Sequence, residues 1–252
     1  MGRLMTGRVS TTEFFSKKYP TRFDGPPIEP TLARMSPKPG ARLLFIGDSV
    51  TDCGRLRPVG RGSRGALGSG YVAEVDRLLS AHFAERPVHI TNMGVGGNTV
   101  RDLERRWDDD VLELDPDWLS IFIGINDVWR RFDAVDRAAA VPPEEFEATY
   151  ERLIQRSLPR LKGLVLMTPF FVQKDRRDPM RRAMDVHGEV VRALARRHGA
   201  LLVDTQAVVD RLLRQTSFAS IAPDRVHPTP AGHAALAEAF VKALRIIRRS
   251  RR

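Results

Sequence analysis

The 252-residue chain is 42% apolar and carries a formal charge of +10, with 41 basic residues against 31 acidic ones. A chain of this length can bury one substantial core, and no apolar run approaches the roughly 18 residues of a membrane span, so one domain and no membrane partner are expected. The N-terminus has no apolar signal region and the single cysteine, Cys53, has no internal disulfide partner, which together set the expectation of a cytoplasmic protein.

The positive charge invites a nucleic-acid reading, but only six of the basic residues are lysines, and the arginines are scattered beside Asp and Glu. Only Arg245, Arg248, Arg249, Arg251 and Arg252 cluster, as suits a solvated helix C-terminus. No nucleic-acid partner is expected.

Residues 1–40 hold six prolines and little periodicity, so they read as an extended leader with at most a short helix over 12–18, ahead of one domain over 41–252. From Arg42 onward apolar runs alternate with amphipathic stretches, the pattern of a parallel sheet with helices on both faces. Strands are expected over 43–46, 88–91, 118–123, 164–167 and 201–203. Helices are expected over 70–83, 101–111, 144–161, 179–198 and 205–214. A last helix begins after His227, where Thr229 can cap it and Pro230 loses no needed hydrogen bond. Ala234, Leu236, Phe240, Ala243, Leu244 and Ile247 give that helix a buried face.

The first apolar run, Leu43 to Ile46, reads as a strand buried on both faces, and Gly47-Asp48-Ser49 follows it. A serine at the carboxyl end of a strand stands where open α/β sheets place their chemistry. A hydroxyl needs a base, an acid to orient that base and donors for an oxyanion. Asp224 and His227, three apart in the loop before the last helix, can place a carboxylate against one ring nitrogen while the other faces Ser49. The second strand runs into a glycine-rich stretch through Gly97, and the third ends in Gly124-Ile125-Asn126-Asp127. Asn126 can aim its amide at the same point as the Gly97 and Ser49 N–H groups.

Two rival chemistries use some of the same residues. Asp48, Asp52, Asp224, His227 and His233 could gather a divalent metal for phosphoester hydrolysis, and Cys53 could be proposed as a thiol nucleophile, but no second cysteine or evident base accompanies it, so it reads as a packed thiol. Gly60-Arg61-Gly62-Ser63-Arg64-Gly65 spells a dinucleotide pattern, but no strand leads directly into it, so it reads as a flexible loop near the site.

The four stretches around Ser49, Gly97, Asn126 and Asp224/His227 resemble, in order and spacing, the four motif blocks of the SGNH or GDSL-type esterases. That resemblance implies a three-layer α/β/α fold with a flavodoxin-like, five-stranded parallel sheet. It implies Ser49 as nucleophile, His227 as base, Asp224 as its orienting acid, and Ser49, Gly97 and Asn126 as oxyanion donors, with no metal and no cofactor. Within the family, Asp48 to Arg55, Gly65 to Tyr71, Gly97 to Leu103, Ile125 to Arg130, Met167 to Phe170 and Asp178 to Arg182 look like the bacterial GDSL acetylxylan esterases. Such enzymes deacetylate xylo-oligosaccharides and tend to form homo-oligomers, so the implied partner is a small acylated carbohydrate. Asp127 and Trp129 are candidate substrate contacts. A lipolytic esterase or thioesterase on the same triad is the alternative. The chain departs from the pattern in its long leader and in Pro223, which stands where an aromatic is expected beside Asp224.

Overall fold

In the computed structural model, which describes residues 36–62, 64–133 and 137–245, all five apolar runs form strands. The strands are β1 (Arg42–Gly47), β2 (Gly60–Arg61), β3 (His89–Gly94), β4 (Trp118–Phe122), β5 (Gly163–Met167) and β6 (Leu201–Val203). Their order in the sheet is β2-β3-β1-β4-β5-β6. Only the two-residue β2 is antiparallel, pairing Gly60 with Asn92 and Arg61 with Thr91. The dinucleotide-like stretch is therefore not a free loop: its start is an edge strand. The other five are parallel in the flavodoxin-like order, and progress along the sheet reverses between β1 and β4. Ligands of such sheets bind in the crevice at that reversal, beyond the carboxyl ends of the strands.

Both faces of the sheet are covered, which is why its strands read as unbroken apolar runs. Leu43, Phe45, Val165, Met167 and Val203 pack on one side with α2 (Tyr71–His82), α7 (Thr205–Leu212) and α9 (Pro230–Ala243). Leu44, Ile46, Leu119, Ile121 and Leu166 pack on the other with residues of α3 (Val100–Arg105), α5 (Pro143–Ser157) and α6 (Pro179–Arg197). Each fully buried aliphatic or aromatic side chain contributes about 1.5–3 kcal/mol, so these two clusters hold the three layers together. Thr229 caps α9 as its sequence suggests, accepting from the Gly232 N–H, and Leu236, Phe240 and Leu244 are buried. Ile247 and the 12–18 stretch lie outside the described residues.

Two expected helices stop early. The 101–111 stretch is regular only to Arg105, after which Trp107 turns inward to donate to Ser157 Oγ at 3.0 Å and residues Asp108–Leu112 form a wide turn. The 144–161 stretch ends at Ser157 because Pro159 lacks the N–H to continue it, leaving a tight turn over Leu158–Arg160. Three short helices, α1 (Ser49–Asp52), α4 (Ile125–Trp129) and α8 (Phe218–Ile221), lie in connecting segments that the sequence pattern did not mark as helical.

The strand ends are level: Gly47 pairs with Gly94 on one side and with Phe122 on the other. α1 then packs directly on the end of β3, so closely that a Cβ on Gly94 would fall 2.2 Å from the Asp52 nitrogen and 2.6 Å from the Thr51 carbonyl carbon. Backbone cannot yield as a side-chain tip can, so Gly94→Ala should destabilise the fold by about 1–3 kcal/mol and displace α1. Urea unfolding of the purified variant checks this, and an unchanged midpoint would show that α1 moves away at no cost.

Candidate active site

β1 hands the chain to α1 through Asp48, whose side chain accepts from the Val50 N–H at 3.0 Å and caps the helix. Ser49 is thereby the first helical residue, whose N–H has no acceptor within the helix. The hydroxyl faces the loop between α8 and α9. Ser49 Oγ lies 2.9 Å from His227 Nε2, and His227 Nδ1 lies 2.6 Å from Asp224 Oδ2. The second carboxylate oxygen of Asp224 accepts from the Val226 N–H at 3.0 Å and the His227 N–H at 2.8 Å. Desolvation pushes the Asp224 carboxyl up, but the bonds from the His227 ring and the two N–H groups outweigh it and hold the group below its usual range. The three residues expected to act together are in contact, although the acid–base pair is exposed.

The expected donors lie just past the neighbouring strands β3 and β4. Gly97, after β3, has φ +80°, a left-handed conformation that glycine adopts without strain. The Asn126 side chain donates one amide hydrogen to the Asn98 carbonyl at 2.9 Å, which fixes its orientation beside that loop and leaves a second hydrogen. Gly96 passes next to the nucleophile, since a Cβ there would lie 3.8 Å from Ser49 Cβ. A cavity of about 280 Å³ opens beside Ser49 and His227, walled by Val50, Cys53, Ser69 and Pro228 among others.

Several positioning residues were not singled out from the sequence. Asn92, fully buried, donates to the carbonyls of Thr51 at 2.7 Å and Leu67 at 2.8 Å and accepts from the Gly94 N–H at 2.9 Å, so it knits α1 to β3. Arg106 reaches the carbonyls of Gly47 and Met93 and the Asn98 side chain, tying two strand ends to the loop that holds Asn126. Asp52 accepts from the Gly96 N–H at 3.1 Å and from Arg57 at 2.6 Å. Asn92 carried one signal, a polar residue at the end of an apolar run, whereas Arg106 stands in a charged stretch and Asp52 was read only as a rival metal ligand.

Of the two residues expected to touch substrate, Trp129 is 37% exposed, but Asp127 is 1% exposed. Asp127 is corrected to a structural role: its Oδ1 accepts from the Val100 N–H at 2.9 Å at the start of α3, and its Oδ2 has no partner. The rival metal set is dispersed. Asp48 points into the core and His233 turns to accept from the Tyr71 N–H at 3.1 Å, while its Nε2 meets Cys53 Sγ at 3.3 Å. With Nδ1 accepting, the neutral ring carries its proton on Nε2 and cannot take one from the thiol. Burial holds His233 down to about 4 and pushes Cys53 up to about 11, so Cys53 is a packed thiol.

A hydroxyl–imidazole–carboxylate chain at the carboxyl end of a flavodoxin-like parallel sheet is the arrangement of the SGNH class of serine hydrolases. The comparisons agree: residues 45–235 match the GDSL-like Lipase/Acylhydrolase family, and the chain belongs to that family. It is 50% identical over 206 residues to an acetylxylan esterase of Geobacillus stearothermophilus, covering 81% of this chain and 94% of that protein. The crystal structure of that organism's acetylxylan esterase Axe2 superposes with a TM-score of 0.81 at 50% identity, covering 84% of this chain and 98% of the other. LAE5, an alpha/beta hydrolase from the metagenome of Lake Arreo, Spain, gives a TM-score of 0.80 at 46% identity over 86% of this chain and 99% of its own. Similar solved structures include catalytic mutants of Axe2 in which a serine, a histidine or an aspartate is replaced by alanine. A tryptophan immediately precedes that aspartate in Axe2, where this chain has the exposed Pro223 before Asp224.

The buried carboxylates next to the site give a pH prediction. Desolvation raises Asp48 and Asp127 to about 7, so the folded protein keeps these protons to a higher pH than the unfolded chain does. Their stabilising contribution is therefore complete below about pH 4 and is lost as pH rises through about 7. Asp127→Asn keeps the acceptor for Val100 and removes the charge. It should raise stability at pH 8 by up to about 4 kcal/mol while leaving it nearly unchanged at pH 4, as read by urea unfolding at both pH values.

Proposed function

We propose that this protein is a serine esterase that removes acetyl groups from carbohydrate esters such as acetylated xylo-oligosaccharides. The observation that carries the reading is the continuous contact from Ser49 Oγ through the His227 ring to Asp224, at 2.9 and 2.6 Å. Its likeness to the acetylxylan esterase of G. stearothermophilus over most of both chains supports the substrate class.

In this reading Ser49 Oγ attacks the ester carbonyl as its proton passes to His227 Nε2. Asp224 accepts from Nδ1–H, which sets the tautomer and stabilises the imidazolium; its carboxyl, held below the usual range, stays ionised through neutral pH. The oxyanion receives the N–H groups of Ser49 and Gly97 and the second amide hydrogen of Asn126. Collapse expels the sugar alcohol with the proton from His227 and leaves acetyl on Ser49. Water, deprotonated by the same ring, then releases acetate. The small cavity, with polar Ser69 and His227 on its wall and Trp129 exposed nearby in sequence to Asn126, suits a short acyl group on a sugar better than a lipid tail.

Ser49→Ala and His227→Ala should each lower kcat for ester hydrolysis on the order of 10³-fold or more while circular dichroism stays native. Near-native turnover by Ser49→Ala would remove the nucleophile assignment. Acetyl esters should outrun octanoyl esters, and acetylated xylo-oligosaccharides should release acetate in the presence of EDTA. Octanoyl turnover equal to acetyl, with no acetate from the oligosaccharide, would favour a lipolytic role. Asn126→Ala should cost about 3 kcal/mol of transition-state stabilisation, seen mainly in kcat, whereas a change confined to KM would mean that Asn126 only holds substrate.

A further inference from the structure

The acid–base pair sits on an exposed loop: the side chains of His227 and Asp224 are 56% and 51% accessible. Ser49, by contrast, rises from the core. Val226, 4% exposed, anchors the loop in a cluster with Ile125, Val128 and Phe171, but the exposed side chains of Asp224 and His227 take no share in that burial. A further restraint comes from the segment after β5. The Val172 N–H donates to the Arg225 carbonyl at 3.0 Å, and the Arg225 guanidinium donates to the Val172 carbonyl at 3.1 Å. Arg225, between Asp224 and Val226, has φ +69°, a left-handed value that a non-glycine residue keeps only when its surroundings impose it. Its guanidinium also lies 4.2 Å from the centre of the Phe218 ring.

The 171–172 segment is not a strand and has no ladder to fix it. Gln206, at the start of α7 and 3% exposed, supplies the missing partner. Its Oε1 accepts from the Phe171 N–H at 2.8 Å, and its Nε2 donates to the Phe171 carbonyl at 3.2 Å and to Asp210 at 2.9 Å. A side-chain amide here does for Phe171 what a neighbouring strand's peptide would do. Asp210 is gripped by Arg181 through two bonds of 2.8 Å, and Arg181, 1% exposed, also donates to the Gln173 carbonyl at 2.6 Å and to Asp185 at 2.9 Å. Burial alone would weaken the charge on Arg181, but the bonds to Asp210 and Asp185 outweigh it, so the anchor stays ionised.

We propose that Gln206 is a positioning residue for catalysis: through the Phe171–Val172 peptides and Arg225 it sets the register of the Asp224–His227 loop against Ser49. The inference rests on the proposed triad. It assigns Gln206 no contact with substrate or with any reacting atom.

The test uses Gln206→Ala and Gln206→Glu in the full chain, with p-nitrophenyl acetate as substrate. Gln206→Ala should lower kcat roughly 10-fold or more with KM little changed, as expected when a catalytic pair is displaced and not removed. Because a loosened Asp224 stabilises the imidazolium less, the acid limb of the kcat/KM profile should move to lower pH, which a loss of folded protein would not produce. Gln206→Glu keeps the acceptor for Phe171 but sets a carboxylate against Asp210 and the Phe171 carbonyl, so its kcat should fall at least as far as that of Gln206→Ala, and it decides the matter if the alanine variant does not fold. On an Asp224→Asn background, Gln206→Ala should add little further loss. A folded variant with the parent's kcat and pH profile, or a kcat loss without a shift of the acid limb, would overturn the positioning role. If Asp224→Asn itself left turnover intact, the triad reading would fail instead.

Discussion

The site depends on how closely α1 can lie against the end of β3. A parallel sheet delivers its strand ends at one level, but a nucleophile, a backbone donor and an amide donor must meet within a few ångströms, so the turns after β1 and β3 have to interlock. Gly94 permits the contact, because any Cβ there would enter the α1 backbone. Asn92 then uses its whole amide to bridge Thr51, Leu67 and Gly94. Without that approach Ser49 and the Gly96–Gly97 turn would stand apart, and no later element could restore the geometry.

The electrostatics around the nucleophile are uneven in a way that fits this construction. Asp48 and Asp127 lie below the surface with backbone N–H donors and no cation in contact, so their desolvation is only partly offset. Each nonetheless organises a helix start, Asp48 for α1 and Asp127 for α3. Asp224 is the opposite case: exposed, triply bonded and held ionised. One set of carboxylates builds the turns, and the other is free to keep its charge.

Much of this was legible in the sequence because it is written in local terms. Five strands buried on both faces appear as short apolar runs, and Thr229-Pro230 marks the start of α9 by capping chemistry that needs no tertiary context. The motif blocks around Ser49, Gly97, Asn126 and Asp224/His227 each follow a strand or precede a helix, so the sheet order brings them to one end of the sheet. What was missed depends on partners far away in the chain. β2 is two residues, Gly60–Arg61, with no apolar signal, and it exists only because the edge of β3 is open to it. Asn92, Arg106 and Gln206 act on backbone carbonyls and peptides that only the fold brings near. Asp127 was misread for a geometric reason: it adjoins Asn126 in sequence, but one step around a helix turns a side chain by about 100°, which points Asp127 to the core, while Trp129, three residues on, returns towards the Asn126 side.

The nucleophile and its base belong to parts of the molecule with different resistance to opening. Ser49 is fixed between β1 and a cluster of buried aromatic and aliphatic residues, whereas the segment bearing Asp224 and His227 is anchored by one buried side chain, Val226, and by a handful of hydrogen bonds to Val172, Ser220 and Ile221. Free energies of local opening in a protein range from near zero to that of global unfolding. The amide of His227, whose acceptor is the exposed Asp224 carboxylate, belongs nearer the low end of that range and those of β1 at the high end. On warming, the Ser49–His227 contact should therefore open before the sheet does, so that activity fades below the melting transition and returns on cooling.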